Sequence, residues 1–295
     1  MYFKTISDLP YYKSLFILIE SVGKFILKDL PRGYFKGAMA LLTDSVRTMG
    51  FCEVPKSASS TLKYTFYQMN SINRADLARR KGGIHEWFNH LKHSLRARNI
   101  RELARLNHSD IYKFMFVRHP FERLASAYND KFVKTKNWDT YIEKLKIQNY
   151  QKMYMNMKSN DPCLAKPSVQ FTFSCFIDYV LAEAKNIHWW PYTELCRVCY
   201  VQYDLVGHVE DFLDDFQILL EKFPKNKALM YPYKQKKKNN CTDNCKETKK
   251  DAYLKYFHQL TKTTILRLYR MYKNDFEFGG YDFPSEHIEA GIADT

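Results

Sequence analysis

Two apolar runs, each stopped by a proline turn and each followed by a helical pattern, organise the first half of the chain. "MGFCEV" (49–54) is short, apolar and enters Pro55, the signature of a buried strand. "STLKYTFYQM" follows with Leu62, Phe66 and Met69 at helical spacing, so the stretch reads strand–turn–helix. "IYKFMFV" (111–117) is a second β-rich run, ended by Arg118, His119 and Pro120. Phe121, Leu124, Ala125 and Tyr128 then mark one face of another helix.

The second half repeats the alternation. "VQFTFSCFIDYVLAEA" (169–184) starts extended and becomes helical. "VCYVQYDLVGHVEDFLDDFQILLEKF" predicts a strand, a glycine-containing turn and an amphipathic helix. "LTKTTILRLYRMYKNDFEFGGYDF" predicts a helix with an aromatic stop. Residues 71–109 are basic and polar, the pattern of a lid or insertion, and 233–250 form a lysine-rich stretch without apolar period. Strands alternating with helices predict an α/β fold with a mostly parallel central sheet and helices on both faces. The expected organisation is a helical extension over 1–45, one domain over 46–285 and a tail over 286–295.

The N-terminal pattern does not predict a membrane span. The apolar run "LFILI" is five residues long before Glu20 and Lys24 interrupt the helix, whereas a spanning helix wants about 20 apolar residues and a signal peptide roughly 7–15. A packed or interfacial amphipathic helix is expected over 11–27.

Composition adds a strong electrostatic preference. Lys and Arg number 46 against 32 Asp and Glu, a net charge of +14, which favours a polyanionic partner: nucleic acid, anionic membrane, acidic glycan or nucleotide. Aromatic residues that could stack on bases are plentiful, so a basic nucleic-acid-binding protein is one reading, although no RRM, OB, KH or zinc-finger pattern is present. The seven cysteines include the close pairs Cys196/Cys199 and Cys241/Cys245. These read either as disulfides of an oxidising compartment or as a four-cysteine zinc site. The odd count leaves a thiol over, and Cys52, on an apolar strand, is the expected one. Sequons at Asn107 and Asn240 lean toward a secretory route.

The chemistry concentrates at the two strand ends. A helix beginning right after a strand offers free N–H groups and a positive dipole end to a phosphate. Lys56 adds a charge; Ser57, Ser59, Ser60 and Thr61 add hydroxyls. The glycines of a Walker A loop are missing, which speaks against a nucleotide kinase or NTPase, the second alternative reading. Arg118 at the second strand exit and Ser126, eight residues on, form a second candidate anion cradle. Two cradles predict a ligand with two phosphate-like groups.

"VPKSASSTLK" and "VRHPFERLASAYNDKF" resemble the 5′-phosphosulfate and 3′-phosphate motifs of the Golgi carbohydrate sulfotransferase family, which includes the chondroitin and dermatan 4-O-sulfotransferases and HNK-type enzymes. "HWWPYTELCRVCYVQYDLVGHVEDF" (188–212) and "LYRMYKNDFEFGGYDF" (268–283) resemble two further blocks, so the likeness covers roughly residues 50–284 in order. The resemblance implies a P-loop-like sulfotransferase fold, PAPS (3′-phosphoadenosine 5′-phosphosulfate) as donor, a glycan hydroxyl as acceptor and no metal. Pro55, Lys56, Ser57, Ala58, Ser59, Ser60 and Thr61 would hold the phosphosulfate, with Arg118 and Ser126 on the 3′-phosphate. Lys56 would neutralise charge on the leaving oxygen, and His188, flanked by aromatics, would be the general base. His119, His85, His90, His93, Glu210 and Asp204 are the weaker alternatives. The family also implies an acidic glycan partner, no nucleic acid, and a Golgi lumenal type II location with possible membrane association through the N-terminal segment. A relative that binds glycan without transferring sulfate is a further alternative, against which stands the presence of Lys56, Arg118 and Ser126 together.

Overall fold

The computed structural model describes residues 39–44, 47–69, 94–97, 102, 105–106, 109–133, 172–182, 186–223 and 253–293. Its strands are β1 Met39–Thr43, β2 Met49–Cys52, β3 Ser94–Ala97, β4 Tyr112–Val117 and β5 Leu205–His208. Its helices are α1 Ser59–Met69, α2 Pro120–Tyr128, α3 Phe173–Leu181, α4 Tyr192–Leu195, α5 Phe212–Lys222, α6 Lys262–Gly279 and α7 Ser285–Ala290. The chain divides into two compact units: residues 1–118 with 192–237, and residues 119–191 with 238–295. The helical expectation over 1–38, His85, His90, His93, both sequon asparagines and the lysine-rich stretch fall outside the described residues.

The first unit is built on a five-stranded sheet in the order β3-β1-β2-β4-β5. β2, β4 and β5 are parallel, with Cys52 opposite Met115 and Val117 opposite His208; β1 joins antiparallel to β2 and β3. The expected α/β fold is therefore present, with three of the five strands, β2, β4 and β5, running parallel, and this parallel part carries the candidate chemistry. Met39–Thr43, expected within a helical extension, is instead a strand, and Ser94–Ala97 adds an edge strand inside the expected lid. Neither shows the alternation or turn signals that mark a strand from sequence.

Period-two alternation puts Met49 and Phe51 of β2, Phe114 and Phe116 of β4 and Leu205 of β5 on one face, where Leu62 and Phe66 of α1 and Phe216 and Leu219 of α5 cover them. Phe51 lies 4.8 Å from Phe66 and 5.8 Å from Phe114 between ring centroids. Gly207 was expected in a turn; it lies inside β5, opposite Phe116, and a Cβ there would come within 2.5 Å of the Phe116 ring. A glycine is needed for close approach here, not for bending.

Cys52, on the opposite face of β2, is bonded to Cys196. The expectation of a free Cys52 and of a Cys196–Cys199 pair is thus overturned: among the described residues Cys199 is a free, exposed thiol. Spacing in sequence misled because the bridge joins residues 144 apart. Cys196 is further fixed by its carbonyl, which accepts the buried Tyr203 hydroxyl at 2.6 Å. Among the described residues no His, Cys, Asp and Glu cluster could hold a metal ion.

The second unit has an aromatic core of its own. Phe121 and Tyr128 of α2, Phe173 and Phe176 of α3, Trp189, Phe257, and Tyr272 and Phe276 of α6 are all buried in it. Thr172 caps α3 by accepting the Cys175 N–H, Thr261 caps α6 by accepting the Thr264 N–H, and α6 ends on left-handed Gly280. Within 286–293, expected as a tail, His287 of α7 is fully buried in this core, and the exposed Ile292 forms a β-bridge with Thr261. The His287 ring stacks on His119 at 5.2 Å and meets Phe257 and Phe121 edge-on. Neither of its ring nitrogens has a hydrogen-bond partner. Burial lowers its pKa to about 4.

Two outcomes follow from these packing arrangements. Replacing Cys52 and Cys196 together by alanine should cost about 2–4 kcal/mol in urea unfolding, while Cys199→Ser should change stability by less than about 0.5 kcal/mol. The native state resists protonation of His287, whereas the unfolded chain accepts a proton below pH 6.5, so stability is intact above that pH and lost as pH falls toward 4. The loss should reach up to about 3 kcal/mol. Thermal unfolding from pH 7 to 4 should show a flatter acid limb in His287→Phe than in wild type.

Candidate functional site

The polypeptide leaving β2 cannot continue straight into α1. It reverses through Pro55–Ala58, closed by the Ser57 N–H donating to the Val54 carbonyl at 3.1 Å. Lys56 has φ 72° and Ala58 φ 54°, so two non-glycine residues, one apart, take the left-handed conformation. Such residues cost of order 1–3 kcal/mol each and persist where surroundings over-determine them, typically at ligand-binding turns. Left-handed residues in such a turn favour an anion-binding concavity of backbone N–H groups; here the Ser57 N–H is used to close the turn, and the left-handed residues flank it at Lys56 and Ala58.

The side chains of the turn suit the same ligand. Ser57 is 1% exposed, and its hydroxyl has no hydrogen-bond partner. An unsatisfied buried hydroxyl costs about 1–3 kcal/mol, a penalty that an incoming oxyanion would remove. α1 starts with Ser59, Ser60 and Thr61 and has no acidic residue in its first turn, so its positive end faces no carboxylate of its own. The nearest carboxylate in sequence, Glu53, is neutralised by Lys63 at 2.5 Å. Lys56 is half-buried within the turn.

Arg118 directly follows β4, the parallel neighbour of β2. It therefore stands at the same end of the first unit's sheet as Pro55, Lys56, Ser57, Ala58, Ser59, Ser60 and Thr61. Ligands of open α/β sheets bind at the carboxyl ends of the strands, and this is that end. His208 closes β5 at the same end. Its N–H donates to the Asp215 carboxylate at 2.6 Å, and its Nδ1 lies 3.6 Å from the same oxygen. Glu210 follows β5 and is exposed. Asp204 lies at the other end of β5, where it accepts the Lys113 N–H at 2.7 Å; that placement removes it from the candidate bases.

Ser126 and His188 belong to the second unit. Ser126 is half-buried on α2. His119, at the start of α2, is enclosed by Phe121, Phe276, Tyr281 and His287, a packing environment. His188 sits in the turn 186–190, its N–H donating to the Asn186 side-chain oxygen at 3.0 Å.

That turn is gripped by a residue the sequence reading missed. Arg123 of α2 is 1% exposed and donates to the Trp190 carbonyl at 2.9 Å and the Ile187 carbonyl at 3.0 Å, one on each side of His188. The Tyr272 hydroxyl donates to the carbonyl of Trp189. Burial raises the Tyr272 pKa far out of reach, so it stays a donor at any working pH. The available signal was an arginine amid the apolar positions Phe121, Leu124 and Ala125, where a solvated charge is out of place.

A family model described as "Sulfotransferase family" matches residues 39–282. A carbohydrate sulfotransferase 10 of Xenopus laevis is 28% identical over 281 residues, covering 90% of this chain and 70% of that protein. A carbohydrate sulfotransferase 10 of Gallus gallus is 26% identical, covering 79% and 64%. A carbohydrate sulfotransferase 11 of Danio rerio is 26% identical, covering 83% and 68%. The chain thus spans about two thirds of the length of the curated relatives it matches. No solved structure matches it significantly.

Arg123→Met strands two carbonyls that the guanidinium satisfied and should destabilise the protein by about 2–5 kcal/mol. Arg123→Lys, which keeps the charge but cannot span both acceptors, should fall between. Urea unfolding measures the cost, and the His188 imidazole NMR signals should shift in the Lys variant if Arg123 fixes that turn.

Proposed function

We propose, for a chain that belongs to the sulfotransferase family and is a carbohydrate sulfotransferase, that it transfers the sulfuryl group of PAPS to a hydroxyl of an acidic glycan. The observation that carries this reading is the buried, unpartnered Ser57 hydroxyl in a turn with left-handed Lys56 and Ala58. The turn from Pro55 to Thr61 receives the 5′-phosphosulfate on backbone N–H groups, hydroxyls and the Lys56 ammonium. Arg118, with Ser126, receives the 3′-phosphate.

Transfer is an in-line displacement. The acceptor oxygen bonds to sulfur as the bond from sulfur to the phosphate oxygen breaks, and the acceptor proton passes to a base. Lys56 offsets the negative charge that builds on the departing oxygen, a stabilisation worth about 10²–10³ in rate for a single well-placed donor. His188 is the proposed base, in a turn whose position Arg123 and Tyr272 fix. The chemistry asks for no metal.

The Cys52–Cys196 bridge supports an oxidising compartment, in keeping with a Golgi lumenal location. No described helix is long and apolar enough to cross a membrane.

Calorimetric titration with PAP, the desulfated product, tests the nucleotide site. Wild type should bind; Arg118→Ala and Lys56→Ala should weaken binding about 10- to 100-fold. Ser57→Ala should separate stability from function, raising the stability of the ligand-free protein by about 1 kcal/mol while weakening PAP. No PAP binding by folded wild type sinks the proposal. Transfer of labelled sulfate from PAPS to glycan, lost in His188→Gln, distinguishes an enzyme from a silent glycan-binding relative.

A further inference from the structure

A cavity of about 620 Å³ opens in the first unit at the opposite end of the sheet from the Lys56 turn. Thr48, Tyr112 and Asp204, which precede or begin β2, β4 and β5, line it together with Arg47, Lys113 and Lys222. The parallel strands separate it from that turn by their own length, roughly 13–20 Å. Its size falls within the roughly 300–1,000 Å³ of small-molecule sites.

The wall contains an under-satisfied charge. Lys113 is 5% exposed, yet its ammonium is held by two backbone carbonyls, Ile111 at 2.8 Å and Ser109 at 3.2 Å. Among the described residues, three N–H donors thus meet two hydrogen-bond acceptors. Burying a cation is costly unless its donors are met, and desolvation already lowers the Lys113 pKa. Arg47 and Lys222 reach the same cavity, and neither has an ion-pair partner among the described residues. The Lys222 ammonium lies 5.8 Å from the Tyr112 ring, which packs against the sheet core and makes a T-shaped pair with Phe223.

Three cations face two carboxylates, Asp110 and Asp204, and the latter already accepts the Lys113 N–H. An inorganic anion would leave the carboxylates and the Tyr112 ring unmatched. A sugar acid matches each group: its carboxylate or sulfate meets Arg47 and Lys222, a ring oxygen or hydroxyl accepts from Lys113, and its hydroxyls donate to Asp110. The apolar face of a pyranose suits Tyr112 and Phe223.

We propose that the cavity between the starts of β2, β4 and β5, walled by Arg47, Asp110, Tyr112, Lys113 and Lys222, binds an acidic sugar unit away from the Lys56 turn. On a polymeric acceptor it is an accessory site that holds the chain at a distance from the reacting hydroxyl. The glycan reading supplies only the class of ligand; binding itself requires no transfer activity.

The test uses an unsulfated hexasaccharide of alternating glucuronate and N-acetylgalactosamine, titrated calorimetrically into the full chain. The double variant Arg47→Glu/Lys222→Glu should weaken binding at least tenfold and leave PAP affinity unchanged. Lys113→Met should weaken it too without loss of fold, since an apolar chain of similar length replaces a poorly satisfied cation. In the reverse control, Arg118→Ala should lose PAP and keep the hexasaccharide. Undiminished hexasaccharide binding by the folded double variant overturns the proposal. So does equal competition by inorganic sulfate, which would make the cavity a plain anion site. Loss of PAP binding in wild type alone would count against the sulfotransferase site and not against this one.

Discussion

The turn from Pro55 to Ala58 imposes the constraint around which the first unit is arranged. Two left-handed residues without glycine are unfavourable by a few kcal/mol, and a short chain would relax them. Here the turn is pinned from both sides. Cys52, at the last position of β2, is tied covalently to Cys196. Beyond the turn, Phe66 of α1 locks against Phe51 of β2, and Lys63 of α1 reaches back to Glu53. With both flanks held, the intervening residues keep the left-handed conformations of Lys56 and Ala58.

The same anchors explain why the conformation is affordable only in a packed α/β frame. β2 is buried along its whole length and β4 along nearly all of its own, so neither strand can shift to relieve the turn without exposing Phe51 or Phe114. Gly207 transmits the same tightness to β5, because only a hydrogen there lets the Phe116 ring close down. Site geometry in this unit is a consequence of aromatic packing on one face of the sheet.

Much of this was legible in the chain. The strand–turn–helix around Lys56 and the Arg118 strand exit each combine a short apolar run, a proline and a helical period, signals that depend only on near neighbours. What was not legible depends on partners far away. Cys52 looked like an apolar strand thiol because its partner lies 144 residues on. Arg123 drew no reading from the sequence, because its acceptors are carbonyls more than sixty residues away. Gly207 read as a turn because glycine signals close approach and reversal alike. β1 and β3 carry no alternation sufficient to announce them, and their pairing with β2 and each other makes them strands.

The net charge of +14 also means something different once individual cations are placed. Lys63 is spent on Glu53, Arg123 on two carbonyls and Lys113 on two more. These three are buried and serve the fold, so they add little to any field at the surface. A buried guanidinium suits Arg123 because its planar fork meets two carbonyls at once with little further ordering. Lys113 has a point charge and three rotatable donors, and two fixed carbonyls cannot satisfy it. The two residues therefore differ in kind, although both are basic and buried: Arg123 clamps two carbonyls from one rigid plane, and Lys113 meets two carbonyls from a rotatable ammonium. Charge counted along a sequence cannot separate them; the geometry of their acceptors does.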